Sequence, residues 1–94
     1  MIVYILYSKK LDRYYVGSTD KDFETRLAKH NSAYYTSKSY TAKANDWSEK
    51  LILNCQNLEQ MRKIERQIKK MKSRKYIEKL INMEEVREQL LNKY

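Results

Sequence analysis

Two short segments near the start of the chain are rich in β-branched and aromatic residues, and a charged hexapeptide separates them. The first is IVYIL, residues 2–6, the second is YYVG, residues 14–17, and SKKLDR lies between them. Residues of this kind pack well on a pleated sheet, and the polar connection favours a turn. The sequence therefore predicts an antiparallel β-hairpin, on which the rest of a small fold is built.

The register of this hairpin determines which side chains share a face. A symmetric loop places Tyr7 opposite Tyr14 and Tyr4 opposite Gly17, the only glycine of the chain. One face then carries Tyr4, Leu6, Tyr15 and Gly17. A slip by one residue would send Tyr4 and Tyr15 to opposite faces. The glycine marks either close approach by a ligand or another backbone, or a bulge or strand end, and both alternatives stay open.

The remaining segments predict one further strand and four helices. Asp22 is an N-cap for a helix that ends near Asn31, and NLEQ, residues 57–60, has capping-box spacing before a basic helix that runs to about residue 70. KLILNC, residues 50–55, is the third strand, residues 74–81 form a short helix, and NMEE, residues 82–85, caps the last one. Residues 32–50 are predicted to be a long functional loop. The order β-β-α-β-α-α-α predicts an α+β domain.

Length and charge restrict what this domain can do. Its 94 residues support one small core, so we expect residues 1–94 to form a single domain. Lysine and arginine exceed aspartate and glutamate by 20 to 12, which is typical of proteins that meet nucleic acid or another anionic surface. The single cysteine excludes an internal disulfide framework, and no secretion signal or apolar run of about 18 residues is present. We therefore expect a soluble, cytoplasmic protein that does not enter membranes.

Two polar residues of the first predicted helix are suited to phosphate chemistry. Arg26 and His30 are four residues apart and so are neighbours on the helix surface. A guanidinium can bind two phosphate oxygens, and an imidazole exchanges protons near neutral pH. The alternative is a surface arginine beside an interfacial histidine with no chemical role.

Glu65 is unusual within the basic second predicted helix. At 100° per residue it lies between the apolar stripe and the Arg/Lys face of that helix. A carboxylate in this position is a suitable ligand for Mg²⁺, which takes one or two protein carboxylates and otherwise binds water and phosphate oxygens. The alternative is a structural glutamate paired with Lys69, four residues further along.

Basic residues and aromatic residues together suggest a nucleic-acid surface. The predicted contacts on the basic helix are Arg62, Arg66, Lys69 and Lys70, and those in the long loop are Lys38 and Lys43. Tyr34, Tyr35, Tyr40 and Trp47 of the loop are candidate stacking platforms for bases. The alternative is an ordinary solvated helix face.

In combination, these segments resemble the GIY-YIG nuclease superfamily, and specifically its short, single-domain bacterial members. IVY, residues 2–4, stands where the family has Gly-Ile-Tyr, and YVG, residues 15–17, stands for Tyr-Ile-Gly. TRLAKHN resembles the family helix that carries the catalytic arginine, here Arg26, followed by His30. RKIERQIK resembles the helix that carries the metal-binding glutamate, here Glu65. Two departures are Ile2 in place of the first glycine and Ser18 where some members have a lysine.

The resemblance implies a three-stranded antiparallel sheet flanked by helices, and hydrolysis of DNA phosphodiester bonds with one Mg²⁺ or Mn²⁺. It implies that Glu65 holds the metal, that Arg26 stabilises the phosphate, and that Tyr4, supported by Tyr15, positions and deprotonates the attacking water. His30 would take the proton in place of the missing lysine. Two other hypotheses remain: a non-catalytic nucleic-acid-binding module with the nuclease fold, and a basic domain that binds a protein through its C-terminal helix.

Overall fold

A computed structural model describes residues 1–32 and 40–94 of the chain. The elements confirm the predicted α+β class and order, with a short 3₁₀ helix, Tyr40–Lys43, as an addition within the segment that was predicted to be a loop. They are β1 Ile2–Ser8, β2 Arg13–Thr19, α1 Phe23–Asn31, β3 Ser48–Asn54, α2 Leu58–Met71, α3 Arg74–Asn82 and α4 Glu84–Lys93. Among the described residues, no helix is long and apolar enough to cross a membrane.

The three strands form one antiparallel sheet in the order β2-β1-β3. The predicted hairpin register is confirmed, since Tyr4 pairs with Gly17 and Tyr7 pairs with Tyr14. The central strand, β1, carries the most apolar run of the chain, and residues 3–6 of it are at most 1% exposed. β3 begins at Ser48, two residues before the predicted start, because Ser48 and Glu49 pair with β1 beyond an irregularity between Ile5 and Leu6.

Side chains alternate along β1 and so serve two separate cores. Val3 and Ile5 pack with Val16 and Leu53 against apolar residues of α2, α3 and α4. Tyr4 and Leu6 point to the other face, where Ala44 and Trp47 are also buried and α1 contributes Phe23 and Leu27. The sheet therefore separates α2, α3 and α4 from α1 and the segment after it. β2, at the edge of the sheet, lies beside elements of both layers.

Capping side chains mark the starts of α1 and α2. Asp22 Oδ2 accepts from the Thr25 amide at 3.0 Å, and Asn57 Oδ1 accepts from the Gln60 amide at 2.8 Å, as predicted. The predicted cap at NMEE is wrong, because the Met83 amide donates to the Lys79 carbonyl and α3 continues through Asn82. Met83 is the N-cap of α4 and makes no side-chain capping bond.

Candidate active site

The phenol ring of Tyr4 lies directly over Gly17. A Cβ on Gly17 would stand 2.5 Å from the Tyr4 hydroxyl oxygen and 2.6 Å from the adjoining ring carbon, closer than such contacts occur. Tyr4 is only 1% exposed, so its own ring fills the space that the missing side chain leaves. The glycine therefore marks close approach by a side chain rather than by a ligand or another backbone.

The Tyr4 hydroxyl makes a buried hydrogen bond to His30. Tyr4 Oη lies 2.9 Å from His30 Nε2, and His30 Nδ1 lies 2.9 Å from Thr41 Oγ1 in the 3₁₀ helix. The three residues are 1%, 3% and 2% exposed. Burial, and secondarily the nearby charge of Arg26, lowers the pKa of His30 from 6.5 to about 4. At neutral pH the ring is uncharged, so one nitrogen carries a proton and the other can accept a hydrogen bond.

Contacts between α1 and the segment before β3 hold Thr41 in place. The Trp47 amide donates to Asn31 Oδ1 at 2.7 Å, and Asn31 Nδ2 donates to the Trp47 carbonyl at 2.9 Å. The indole Nε1 of Trp47 donates to the Thr41 carbonyl at 2.9 Å. Trp47 is 3% exposed, so its predicted role as a stacking platform for bases is wrong, because the indole is committed to the core.

Tyr15 is on the same face of the hairpin as Tyr4, as the predicted register requires. Its ring centroid lies 5.0 Å from that of His30 and 6.2 Å from that of Trp47. The Lys69 ammonium lies 6.0 Å from the Tyr15 ring centroid. Tyr15 therefore packs against the imidazole that binds Tyr4.

Arg26 and Glu65 line one cleft between α1 and α2, at the end of β2. The cleft has a volume of about 430 Å³, within the range of ligand sites. Its other lining residues are Ser18, Thr19, Asp20, Lys21, Asp22, Thr25, Lys29, Leu58, Met61 and Arg62. Tyr4, Tyr15 and His30 are absent from this lining and pack beside it, on the α1 side of the sheet. The structure thus brings the predicted arginine and glutamate together in one cleft.

Both oxygens of the Glu65 carboxylate accept hydrogen bonds. Ser18 Oγ donates to Oε1 at 2.6 Å, and Lys69 Nζ donates to Oε2 at 2.8 Å. The predicted pairing with Lys69 is therefore present, but Glu65 also faces the cleft, and its side chain is 21% exposed. The described residues include no cluster of three or more His, Cys, Asp or Glu side chains suited to a metal ion. A cation bound here would take one carboxylate, that of Glu65, and would complete its shell from phosphate and water.

The predicted nucleic-acid-binding residues of α2 lie together beside the cleft. Arg62, Arg66, Lys69 and Lys70 line an adjoining depression with Glu65. Lys43 is exposed at the end of the 3₁₀ helix, which contacts α1, and does not line this depression. Lys38, Tyr34 and Tyr35 lie outside the described residues, as does the side chain of Tyr40.

Comparison with known protein families identifies the family to which this chain belongs. A model of the GIY-YIG catalytic domain matches residues 1–80, which include every predicted site residue. The chain belongs to the GIY-YIG family. No curated protein and no solved structure matches it. Family membership implies a nuclease that acts on DNA. In this GIY-YIG domain α4 lies beyond the matched segment, and it contributes Leu90 to the core.

Three polar residues of this GIY-YIG domain were not predicted from sequence. Ser18 binds Glu65 across 47 positions of sequence, Thr41 binds His30, and Asn31 holds the backbone of Trp47. Each has an ordinary residue type for a strand end, a loop or a helix end. The only available signal was the place of Ser18 directly after Gly17, where some relatives have a lysine.

Replacing Gly17 with alanine tests the packing of Tyr4. We expect Gly17→Ala to destabilise the fold by about 1–3 kcal/mol, because the new methyl group overlaps a ring that has no exposed space to enter. In a Tyr4→Ala background the same change meets no ring and should cost much less. Urea denaturation of the four proteins in this double-mutant cycle measures the coupling. Additive effects would show that Tyr4 does not lie over Gly17.

The lowered pKa of His30 predicts a pH dependence of stability. The unfolded chain, with a histidine pKa near 6.5, binds more protons than the folded chain, with a pKa of about 4, so stability is lost as the pH falls from 6.5 toward 4. The loss amounts to about 3 kcal/mol at most. Comparing wild type with His30→Gln by urea denaturation from pH 7 to pH 4 isolates this contribution. Parallel pH profiles of the two proteins would contradict the burial of a neutral His30.

Proposed function

We propose that this GIY-YIG protein is a metal-dependent endonuclease that hydrolyses DNA phosphodiester bonds in DNA repair or processing. The observation that carries the proposal is the cleft in which Arg26 and Glu65 meet, beside the buried Tyr4–His30 pair. The chain is basic and the depression next to the cleft is lined mainly by cations. Contacts of this kind bind the DNA backbone and read shape or charge rather than base sequence, so recognition is structure-directed or weakly specific.

Arg26 is the residue that binds the reacting phosphate. It reaches the cleft from α1, one helical turn before His30, and Glu65 lines the same cleft from α2. A guanidinium donates to two phosphate oxygens at once and stabilises the negative charge that grows on them during hydrolysis. Bound phosphate also offsets the charge of Arg26 that lowers the pKa of His30, so substrate binding makes His30 a better proton acceptor.

Tyr4 orients the attacking water and passes a proton to His30. A free phenolate at pH 7 costs about 4 kcal/mol, and a separate transfer of the phenol proton to His30 costs more because His30 has a low pKa. The phenol therefore stays protonated at rest and accepts the water proton only as it donates its own to Nε2. Since Tyr4 is 1% exposed, the reacting water has to come to it with the substrate.

Glu65 would hold the divalent cation, Mg²⁺ or Mn²⁺, together with phosphate oxygens and water. When bound, the cation supplies Lewis-acid stabilisation of the leaving oxygen. Lys69 occupies one oxygen of Glu65 in the structure and has to release it for this role. Ser18 keeps the other oxygen directed toward the end of β2.

One observation favours a second function. Both oxygens of Glu65 are engaged within the protein, which is also the arrangement expected of a DNA-binding module that has kept the fold without cleaving. Such a module would use the same cations of α2 and would need no metal.

Cleavage assays with matched glutamate variants separate these functions. Nicked, branched and single-stranded DNA are incubated with Mg²⁺ or Mn²⁺ and wild type, Glu65→Gln or Glu59→Gln. Glu59 is the control, because it also lies in α2 and pairs with a lysine four residues further on, but it is outside the cleft. We expect Glu65→Gln to lower the cleavage rate by about 100-fold or more and Glu59→Gln to leave it unchanged.

Two other outcomes would contradict the proposed nuclease site. Equal cleavage by wild type and Glu65→Gln would show that the activity does not come from this site. DNA binding by wild type without cleavage in either metal would establish the binding module instead.

A further inference from the structure

A second basic depression lies where the hairpin turn meets the turn between α2 and α3. It is lined by Asp12, Arg13, Tyr14, Val16, Ile68, Lys69, Lys72, Ser73, Arg74 and Ile77. Arg13, Lys72 and Arg74 of this lining are exposed, and none of them belongs to the Arg26/Glu65 cleft.

Backbone conformation distinguishes this depression from the rest of the described chain. Asp12 and Lys72, with φ of 52° and 47°, are the two non-glycine residues with positive φ in residues 1–32 and 40–94, and both line it. Lys72 is the C-cap of α2, a position that favours glycine in this conformation. Backbone strain is retained at functional sites more often than elsewhere. Glycine would adopt this conformation with the least strain, but it has no side chain. Lys72 instead places a cation at the cap.

Arg74 links the hairpin turn to the turn between α2 and α3. The net charge of the depression is positive. Its guanidinium donates to Asp12 Oδ1 at 2.8 Å and to the Asp12 carbonyl at 3.0 Å, and it lies 5.3 Å from the Tyr14 ring centroid. This hydrogen bond is the main reason that the pKa of Asp12 falls to about 2. The charges of Asp12 and Arg74 offset each other, and Lys69 is paired with Glu65, so Arg13 and Lys72 leave an excess of positive charge.

The depression is continuous with the proposed active site. Lys69 lines both this depression and the neighbouring depression formed by the cations of α2. Arg62 and Glu65 line both that neighbouring depression and the Arg26 cleft. Lys72 follows Glu65 by seven residues, which is about 10 Å along an α-helix. A DNA strand advances about 3.4 Å per nucleotide along the duplex axis, so this distance corresponds to about three nucleotides.

We propose that Arg13 and Lys72 form a second DNA-backbone site, which binds phosphates about three nucleotides from the phosphate held in the cleft that Arg26 and Glu65 line. The proposal rests on the proposed nuclease function for the position of the reacting phosphate. A polyanionic strand fits better than a small anion, because the three depressions form one open, shallow path with cations along its whole length.

A charge-matched pair of double variants tests this site. Arg13→Gln/Lys72→Asn removes both cations, and asparagine tolerates the left-handed conformation at position 72. Lys63→Gln/Lys79→Gln removes two exposed cations that line none of the three depressions. Fluorescence anisotropy with labelled duplex DNA, without divalent metal and over a series of salt concentrations, gives the slope of log affinity against log salt.

We expect Arg13→Gln/Lys72→Asn to reduce the magnitude of this slope by about 2, at roughly 0.9 for each lost phosphate contact, and the control to change it much less. Equal slopes for the two double variants would overturn the proposal. Because no cleavage is needed, the result holds even for a protein that does not cut DNA. Normal cleavage with equal slopes would remove this site and leave the proposed nuclease function standing.

Lys72→Gly separates a DNA contact from a structural role in the turn. Glycine relieves the left-handed conformation, so we expect the urea midpoint of unfolding to rise while DNA affinity falls several-fold. A purely structural lysine would leave affinity unchanged when the turn is stabilised. Unchanged DNA affinity of Lys72→Gly would therefore contradict the proposal.

Discussion

The rest of the site depends on the contact between the Tyr4 ring and Gly17. Because position 17 has no side chain, a whole phenol ring fits between β2 and α1 and directs its hydroxyl to His30. The same burial keeps His30 uncharged at neutral pH, with its pKa lowered to about 4. Thr41 contacts the other ring nitrogen, and the Asn31–Trp47 hydrogen bonds hold its segment against α1.

β2 connects this buried pair to the charged half of the site. Neighbouring residues of a strand point to opposite faces, so Gly17 receives Tyr4 on the α1 side while Ser18 donates to Glu65 on the α2 side. Arg26 comes from α1 and lines the same cleft as Glu65 at the end of the strand. Gly17 and Ser18, two consecutive residues of an edge strand, thus connect the buried Tyr4–His30 pair to the groups that would bind phosphate and metal.

Local rules explain why much of the fold was predictable. Alternation and a symmetric turn determine that Tyr4 lies opposite Gly17, and capping residues mark the starts of α1 and α2. The site residues Arg26, His30 and Glu65 were predicted from their spacing on helices and from family motifs that occur in the expected order along the chain. The remaining contacts join residues far apart in sequence, such as Ser18 with Glu65, and no local pattern encodes them. For the same reason, the burial of Trp47 could not be read from the polar segment around it.

The central claim is that both halves of this site act on one DNA phosphate with a cation held by Glu65. A crystal structure of the protein with Mn²⁺ and an uncleavable DNA analogue tests it most directly, because anomalous scattering locates manganese. We expect one manganese peak in contact with Glu65, with Lys69 moved off the carboxylate and the phosphate bound by Arg26. Manganese bound elsewhere on the DNA complex, with Glu65 still bonded to both Ser18 and Lys69, would contradict it.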